Sequence, residues 1–150
     1  LEEAIGYKVN FVQDNESKSI KGVLRGLHYQ LPPYTQAKLV RVIEGSVLDV
    51  AVDIRKSSPT FGQHVSLELT AQNKHQLFVP HGFAHGFIVL SDSATFTYKV
   101  DNYYAPEHDR GIAFDDEQLK INWQLSAEEL QLSDKDKTHP TLENTKDLFE

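Results

Sequence analysis

A chain of 150 residues is long enough for one substantial core, since folding at this size buries roughly 70% of the surface the unfolded chain exposes. Lys and Arg number 15 against 22 Asp and Glu, a formal charge of -7, which argues against general nucleic-acid binding or adhesion to an anionic membrane and leaves any anionic substrate to find a local basic patch. There is no cysteine, so disulfides and thiolate metal sites are excluded, and no apolar run approaches the length of a transmembrane helix. With no signal-peptide pattern at the start, the expectation is a single-domain soluble protein, residues 1–150, of the cytoplasm.

Leu1 to Lys8 has the composition of a helix end, with Gly6 as its stop. Val9 to Val12 reads as a short strand and Gln13-Asp14-Asn15-Glu16 as a polar turn. The strand that follows, Ser17 to Gln30, reads S-K-S-I-K-G-V-L-R-G-L-H-Y-Q and sets an arginine, a histidine and two glycines into a β pattern. Strict alternation places Leu24, Gly26, His28 and Gln30 on one face and Arg25, Leu27 and Tyr29 on the other, so Arg25 and His28 point apart. A bulge or bend at Gly26, where no Cβ resists an unusual backbone angle, brings both to one pocket.

Leu31-Pro32-Pro33-Tyr34 ends that strand, because two prolines remove ladder donors. Ala37 to Ile43 is the next, with Lys38, Val40 and Val42 on one face. Glu44-Gly45-Ser46 reads as a hairpin turn into Val47 to Ile54, and a loop from Arg55 to Gly62 leads to the alternation of Val65, Leu67 and Leu69. Strands follow at Gln76 to Val79, Ala84 to Leu90 and Ala94 to Val100. Ser126 with Glu129 forms a capping-box pattern for a short helix from Ala127 to Gln131, and a charged surface tail begins at Ser133. Many short strands with little helical period predict an all-β sandwich or barrel.

Several residues have the chemistry of a site. His28 is a candidate base, because imidazole titrates near neutrality; the alternative is a structural histidine beneath a loop. Tyr98 shares a face with Ala94 and Phe96, which is also how a core tyrosine reads. Lys38 is either a snorkelling lysine or a charge set into the mouth of the fold, where it stabilises a developing oxyanion. Arg25 suits phosphate oxygens through its bidentate guanidinium. Asp49, facing Lys38 across a regular hairpin, is one candidate for the carboxylate that orients an imidazole base.

The stretch G-V-L-R-G-L-H-Y-Q, Gly22 to Gln30, resembles the signature strand of the dTDP-4-dehydrorhamnose 3,5-epimerase family. Further matches follow in order along nearly the whole chain: F-V-Q-D-N, K-L-V-R-V, D-V-A-V-D-I-R-K-S-S-P-T-F-G, P-H-G-F-A-H-G-F, Y-K-V-D-N-Y-Y and L-S-D-K-D. The resemblance implies an all-β, cupin-type β-barrel (jelly roll) with short C-terminal helical segments. It implies an isomerase that inverts C3 and C5 of dTDP-4-dehydro-6-deoxy-D-glucose, both centres being activated by the C4 ketone. No cofactor is expected, because the substrate's own carbonyl is the electron sink.

Residue by residue, the resemblance makes His28 the general base, Tyr98 the general acid on the opposite face of the sugar and Lys38 the cation at the developing enolate. Asp136 is then the carboxylate that orients His28, in competition with Asp49. Gln13, Asp14 and Asn15 match a nucleotide-binding turn, Arg25 meets the diphosphate, and His85 and Lys135 contact substrate. Asp109 stands where the family usually has a glutamate before Gly111-Ile112. No metal site is expected: metal-dependent cupins present H-x-H and a carboxylate, whereas His28 is followed by Tyr29 and Gln30, and His81 and His85 span a Gly-Phe-Ala turn. A three-histidine assembly from distant strands stays open.

The family also implies a homodimer that exchanges N-terminal strands, and a preceding acidic-x-Arg-Gly…Glu segment that this sequence, opening at Leu1, lacks. Two other functions fit the same residues. One is a mono-epimerase acting at C3 or C5 only; the other is a non-catalytic sugar-nucleotide binding module.

Overall fold

The computed structural model describes residues 1–150. After a one-turn helix α1, Glu2–Ile5, closed by Gly6, the chain forms nine strands. These are β1 (Gln13–Ile20), β2 (Leu24–Gln30), β3 (Lys38–Glu44), β4 (Ser46–Asp53), β5 (His64–Thr70), β6 (Gln76–Val79), β7 (Phe83–Val89), β8 (Ser93–Val100) and β9 (Asp109–Gly111). Two sheets result, one of four strands in the order β1-β8-β3-β6 and one of five in the order β5-β4-β7-β2-β9, with every ladder antiparallel. This is the expected jelly roll, built as two facing sheets. No helix is long and apolar enough to cross a membrane.

Period-2 patterning explains two separate apolar layers. Val40, Val42, Val47, Leu69, Phe87, Val89, Ala94 and Phe96 pack between the sheets, where the Phe87 and Phe96 rings stack at 4.4 Å. The alternate residues of the five-stranded sheet, among them Leu48, Val50, Val52, Ala84 and Ile88, face outward and bury against Ile112, Leu119, Trp123 and Leu142 of the C-terminal segment. Each such large side chain contributes about 1.5–3 kcal/mol when fully buried.

The predicted charged surface tail is therefore corrected. From Ser133 onward, isolated apolar residues plug into the outer layer, and Phe149 pairs with Arg55 in a parallel bridge. The buried Asp116 secures the segment by accepting from the Leu142 amide at 2.7 Å and the Gln118 amide at 2.8 Å. Anchors spaced without period leave no helix or strand signal to read.

Five local expectations also change. Gln13 to Glu16 is not a turn but the start of β1, because its polar side chains line a cleft on one side and meet solvent on the other. Val9 to Val12 precedes β1 without strand pairing of its own. The long Ser17 to Gln30 strand breaks at Lys21 to Val23, so that β1 and β2 lie in different sheets. Glu44-Gly45-Ser46 is not a hairpin turn: β3 pairs with β6 and β8, β4 with β5 and β7, and the bend carries the chain from one sheet to the other. At the predicted Ala127 to Gln131 helix, Ser126 does bond Glu129 at 3.0 Å, but only a 3-10 turn, Ala127–Glu129, forms before Gln131 bridges to Val23.

Candidate active site

The predicted bend in β2 is present, as a register shift between Arg25 and His28 in the ladder with β7. Gly26 has φ +135, and a Cβ there would lie 2.6 Å from the Gly86 Cα, so the close crossing of the two backbones admits glycine alone. The shift places Leu24, Leu27 and Tyr29 together in the outer apolar layer. Arg25 and His28 are thereby left on the same inward side.

That side is one wall of a cleft of about 430 Å³ between the sheets. His28 and Gln30 come from β2 on the five-stranded sheet; Gln13 and Asn15 from β1, Lys38 from β3 and Tyr98 from β8 form the opposite wall. Asp109, Lys135 and Tyr104 complete the rim. Gln13 Nε2 donates to Asn15 Oδ1 at 2.8 Å. Asp14, between them, points to the other side and takes an exposed bond from Lys99 Nζ at 2.7 Å.

His28 is 32% exposed at its side chain, open enough to reach a substrate. Its Nε2 lies 2.5 Å from Asp136 Oδ1; a carboxylate accepts only, so Nε2 carries the proton and Nδ1 is the ring nitrogen left free. The other Asp136 oxygen accepts from the Gly26 amide at 3.3 Å. Burial alone would push the Asp136 carboxyl up, but hydrogen bonds from His28, His139 and Gly26 and the His28 charge outweigh it and hold it down to about 2. Asp49, the rival partner, is elsewhere: its Oδ1 accepts from His85 Nε2 at 2.8 Å, both side chains are buried, and its Oδ2 has no hydrogen-bond partner.

His85 lies beside His28 across the β2–β7 ladder, buried and not among the residues that line the cleft, stacked 6.4 Å from Phe96. Lys38 lines the cleft from the opposite sheet. Burial lowers the lysine below its ordinary value, opposed by the carboxylates of Asp49 and Asp109. Its Nζ sits 5.8 Å from the Tyr98 ring centre. Burial raises the Tyr98 phenol, and the charge of nearby Arg25 opposes the rise. Arg25 itself is exposed, beside the cleft. At the rim Asp109 bonds Lys135, which raises the lysine, so the shorter acid still finds a cationic partner.

Tyr104, Gln36, Gln30 and His139 were not singled out by the sequence. Gln30 is a bracket: Nε2 donates to the Tyr34 and Tyr103 carbonyls at 2.7 and 3.2 Å, and Oε1 accepts from the Ala105 amide at 2.8 Å, fixing the loop that presents Tyr104. Its place two residues after His28 was the signal. His139 bonds the same Asp136 Oδ1 as His28, at 3.0 Å. Ligand-type atoms of His28, Asp136 and His139 lie within 4.8 Å of one another, but two imidazole donors converging on one oxygen at 2.5 and 3.0 Å make a hydrogen-bonded triad.

The family model described as dTDP-4-dehydrorhamnose 3,5-epimerase matches residues 1–144. The chain belongs to that family. It is 62% identical over 136 residues to the dTDP-4-dehydrorhamnose 3,5-epimerase of Shigella flexneri, covering 91% of this chain and 74% of that one. The crystal structure of the dTDP-4-dehydrorhamnose 3,5-epimerase from Elizabethkingia anophelis NUHP1 superposes with a TM-score of 0.93 at 50% identity, covering 95% of this chain and 79% of that one. The dTDP-6-deoxy-D-glucose-3,5-epimerase from Legionella pneumophila Philadelphia 1, solved in complex with dTDP-4-keto-L-rhamnose, gives 0.92 at 53% identity over 97% of this chain and 76% of that one. As a dTDP-4-dehydrorhamnose 3,5-epimerase family member it is an epimerase, within the isomerases.

Proposed function

We propose that this chain inverts C3 and C5 of dTDP-4-dehydro-6-deoxy-D-glucose to give dTDP-4-dehydro-L-rhamnose. The observation that carries the assignment is that His28 stands on one sheet and Tyr98 on the other, with the cleft between them. A sugar held there meets a base on one face and an acid on the other, the minimum apparatus for inverting a stereocentre.

His28 Nδ1 takes the proton from the carbon next to the ketone, and the electron pair moves onto the C4 oxygen. The Lys38 ammonium stabilises that oxyanion, worth most in a site sheltered from water. Tyr98, kept protonated by burial, donates to the opposite face. His28 then loses its proton and Tyr98 regains one from solvent before the second centre reacts. Asp136 fixes the His28 tautomer and stabilises the imidazolium. The substrate ketone accepts the electrons throughout, so no cofactor enters the scheme.

Gln13 and Asn15 are assigned to the nucleotide, Lys135 to the substrate at the rim, and Arg25, exposed and near Tyr98, to the diphosphate. His85 is assigned to the substrate from the strand beside that of His28, bonded to Asp49. Asp14 is assigned to the nucleotide turn through its place in the backbone, since its side chain is turned away. We infer a homodimer of the cytoplasm. The outer face of the four-stranded sheet leaves Ile20 and Ile43 exposed at 58% and 47%, whereas the C-terminal segment covers the other sheet.

The test is proton NMR of the product formed from dTDP-4-dehydro-6-deoxyglucose. Inversion at both centres supports the assignment; inversion at C3 or C5 alone makes the chain a mono-epimerase, and binding without turnover makes it a binding module.

A further inference from the structure

His139 lies behind the cleft, against the carboxylate that orients the base, and the scheme above has no use for it. It sits three residues after Asp136, its side chain only 9% exposed, its ring edge-to-face with the His28 ring at 5.6 Å between ring centres. The fold makes room for it specifically. A Cβ on Gly111 would lie 2.3 to 2.5 Å from three ring atoms of His139, and Gly111 is the β9 residue paired with His28. The following Pro140 is held by a 2.8 Å bond from the Ala113 amide to its carbonyl. His139 is thus packed in place, with Nε2 directed at the oxygen that His28 uses.

We propose that His139 is a positioning residue of the base. Its Nε2–H takes a share of the Asp136 carboxylate and so weakens the ion pair by which Asp136 holds a protonated His28. The inference rests on the reading of His28 as base. An acceptor oxygen shared between two donors binds each less strongly than one it serves alone, and charge-assisted bonds of this kind are the strong ones. The consequence matters for a double inversion, in which His28 must give up its proton twice in each turnover. A lone aspartate at 2.5 Å favours the imidazolium and slows that release; a second donor on the same oxygen opposes it.

Other charged and titratable groups surround the cluster. Tyr29 comes from β2, Asp109 and Arg110 from β9, and Lys135, Lys146 and Asp147 from the C-terminal segment; with His139 they line a second cavity of about 300 Å³ behind the site. Asp109 is bonded to Lys135, and Asp147 to Arg110 at 2.9 Å. These pairs leave the Asp136 carboxylate to the two imidazoles and the Gly26 amide.

The experiment is an NMR titration of the His28 ring in the whole chain, run on wild type, His139→Phe and His139→Gln. Phe keeps a ring under Gly111 but has no donor; Gln keeps a donor but has no ring. The expected result is that His139→Phe raises the His28 midpoint by about one pH unit while His139→Gln stays within about 0.3 of wild type, and that the acid limb of kcat/KM moves in parallel. An unmoved midpoint in the Phe variant, or an equal shift in both, assigns His139 to packing and overturns the proposal. Each variant is decisive by itself if the other fails to fold: wild-type titration in Phe, or a full shift in Gln, contradicts it. Because the midpoint is read without substrate, failure here is separate from failure of His28 as base, which full activity in His28→Ala would reveal.

Discussion

The interior between the two sheets has an apolar end and a polar end, and the same strands build both. Along β8 the inward residues run Ala94, Phe96, Tyr98; along β3, read toward the same end, Val42, Val40, Lys38. On the facing sheet β7 runs Val89, Phe87, His85, and β4 runs Val47, Asp49. At one end Phe87 and Phe96 stack among Val40, Val42, Val47, Leu69, Val89 and Ala94; at the other, Asp49, His85 and Asp136 are buried, with Lys38 and the partly exposed His28 beside them. The first end contributes stability through burial. The second costs stability, since lowered lysine and partnerless carboxylate oxygen both signal desolvation that the fold does not fully offset. The difference is a physical mark of function, because the polar end gathers several buried titratable groups that packing does not need, whereas the apolar end holds one buried hydroxyl without a partner, that of Ser19.

Substitutions at the two ends should therefore part company. The largest effect is expected at the polar end, where His28→Ala lowers kcat by about 10²–10⁴-fold, far beyond what its loss of the Asp136 pairing costs in stability, checked by turnover and thermal unfolding side by side. Next is the apolar end. Phe96→Ala is expected to destabilise the fold by about 3–5 kcal/mol, measured by urea denaturation. A smaller loss of activity, about 10²–10³-fold, is expected for Lys38→Met, with a pH signature. Burial lowers the lysine, so its charge disappears as pH rises through a value below the ordinary one, and kcat/KM falls with it. Burial raises Tyr98, which stays protonated over that range. The alkaline limb should thus begin below the ordinary lysine range in wild type and be absent from the Lys38→Met profile.

The smallest effect concerns acid stability. Asp136 titrates at about 2 in the fold against 3.8 as the ordinary value, so its contribution is fully present above the ordinary value and lost as pH falls through about 2. That contribution is on the order of 2 kcal/mol. Asp136→Asn should flatten the dependence of melting temperature on pH between about 5 and 2 relative to wild type.

What could be read from the sequence follows the range over which each signal acts. The alternation of Lys38, Val40 and Val42 is local and holds, and the conflict between Arg25 and His28 correctly pointed to a bend at Gly26. The destination of a strand is not local. Nothing in Glu44-Gly45-Ser46 says that the next strand joins the other sheet, and taking those residues as a hairpin made Asp49 a rival to Asp136 for His28. The topology instead gives Asp49 to His85. Asp136 meets His28 across 108 positions of sequence, a pairing that spacing cannot reveal; only the L-S-D-K-D resemblance suggested it. Residues Gln13 to Glu16 were hidden by composition, because a strand whose inward side chains line a polar cleft has the residues of a turn. His139 had no signal at all beyond its place near Asp136.

The central claim is that two groups on opposite sheets handle the proton on opposite faces of the sugar. It is tested most directly by following deuterium incorporation at C3 and C5 of dTDP-4-dehydro-6-deoxyglucose in deuterated water with His28→Ala and Tyr98→Phe. We predict that His28→Ala abolishes exchange at both carbons, whereas Tyr98→Phe still exchanges with solvent through His28 but yields little inverted product. Undiminished inversion in Tyr98→Phe, or undiminished exchange in His28→Ala, would contradict the two-sheet mechanism.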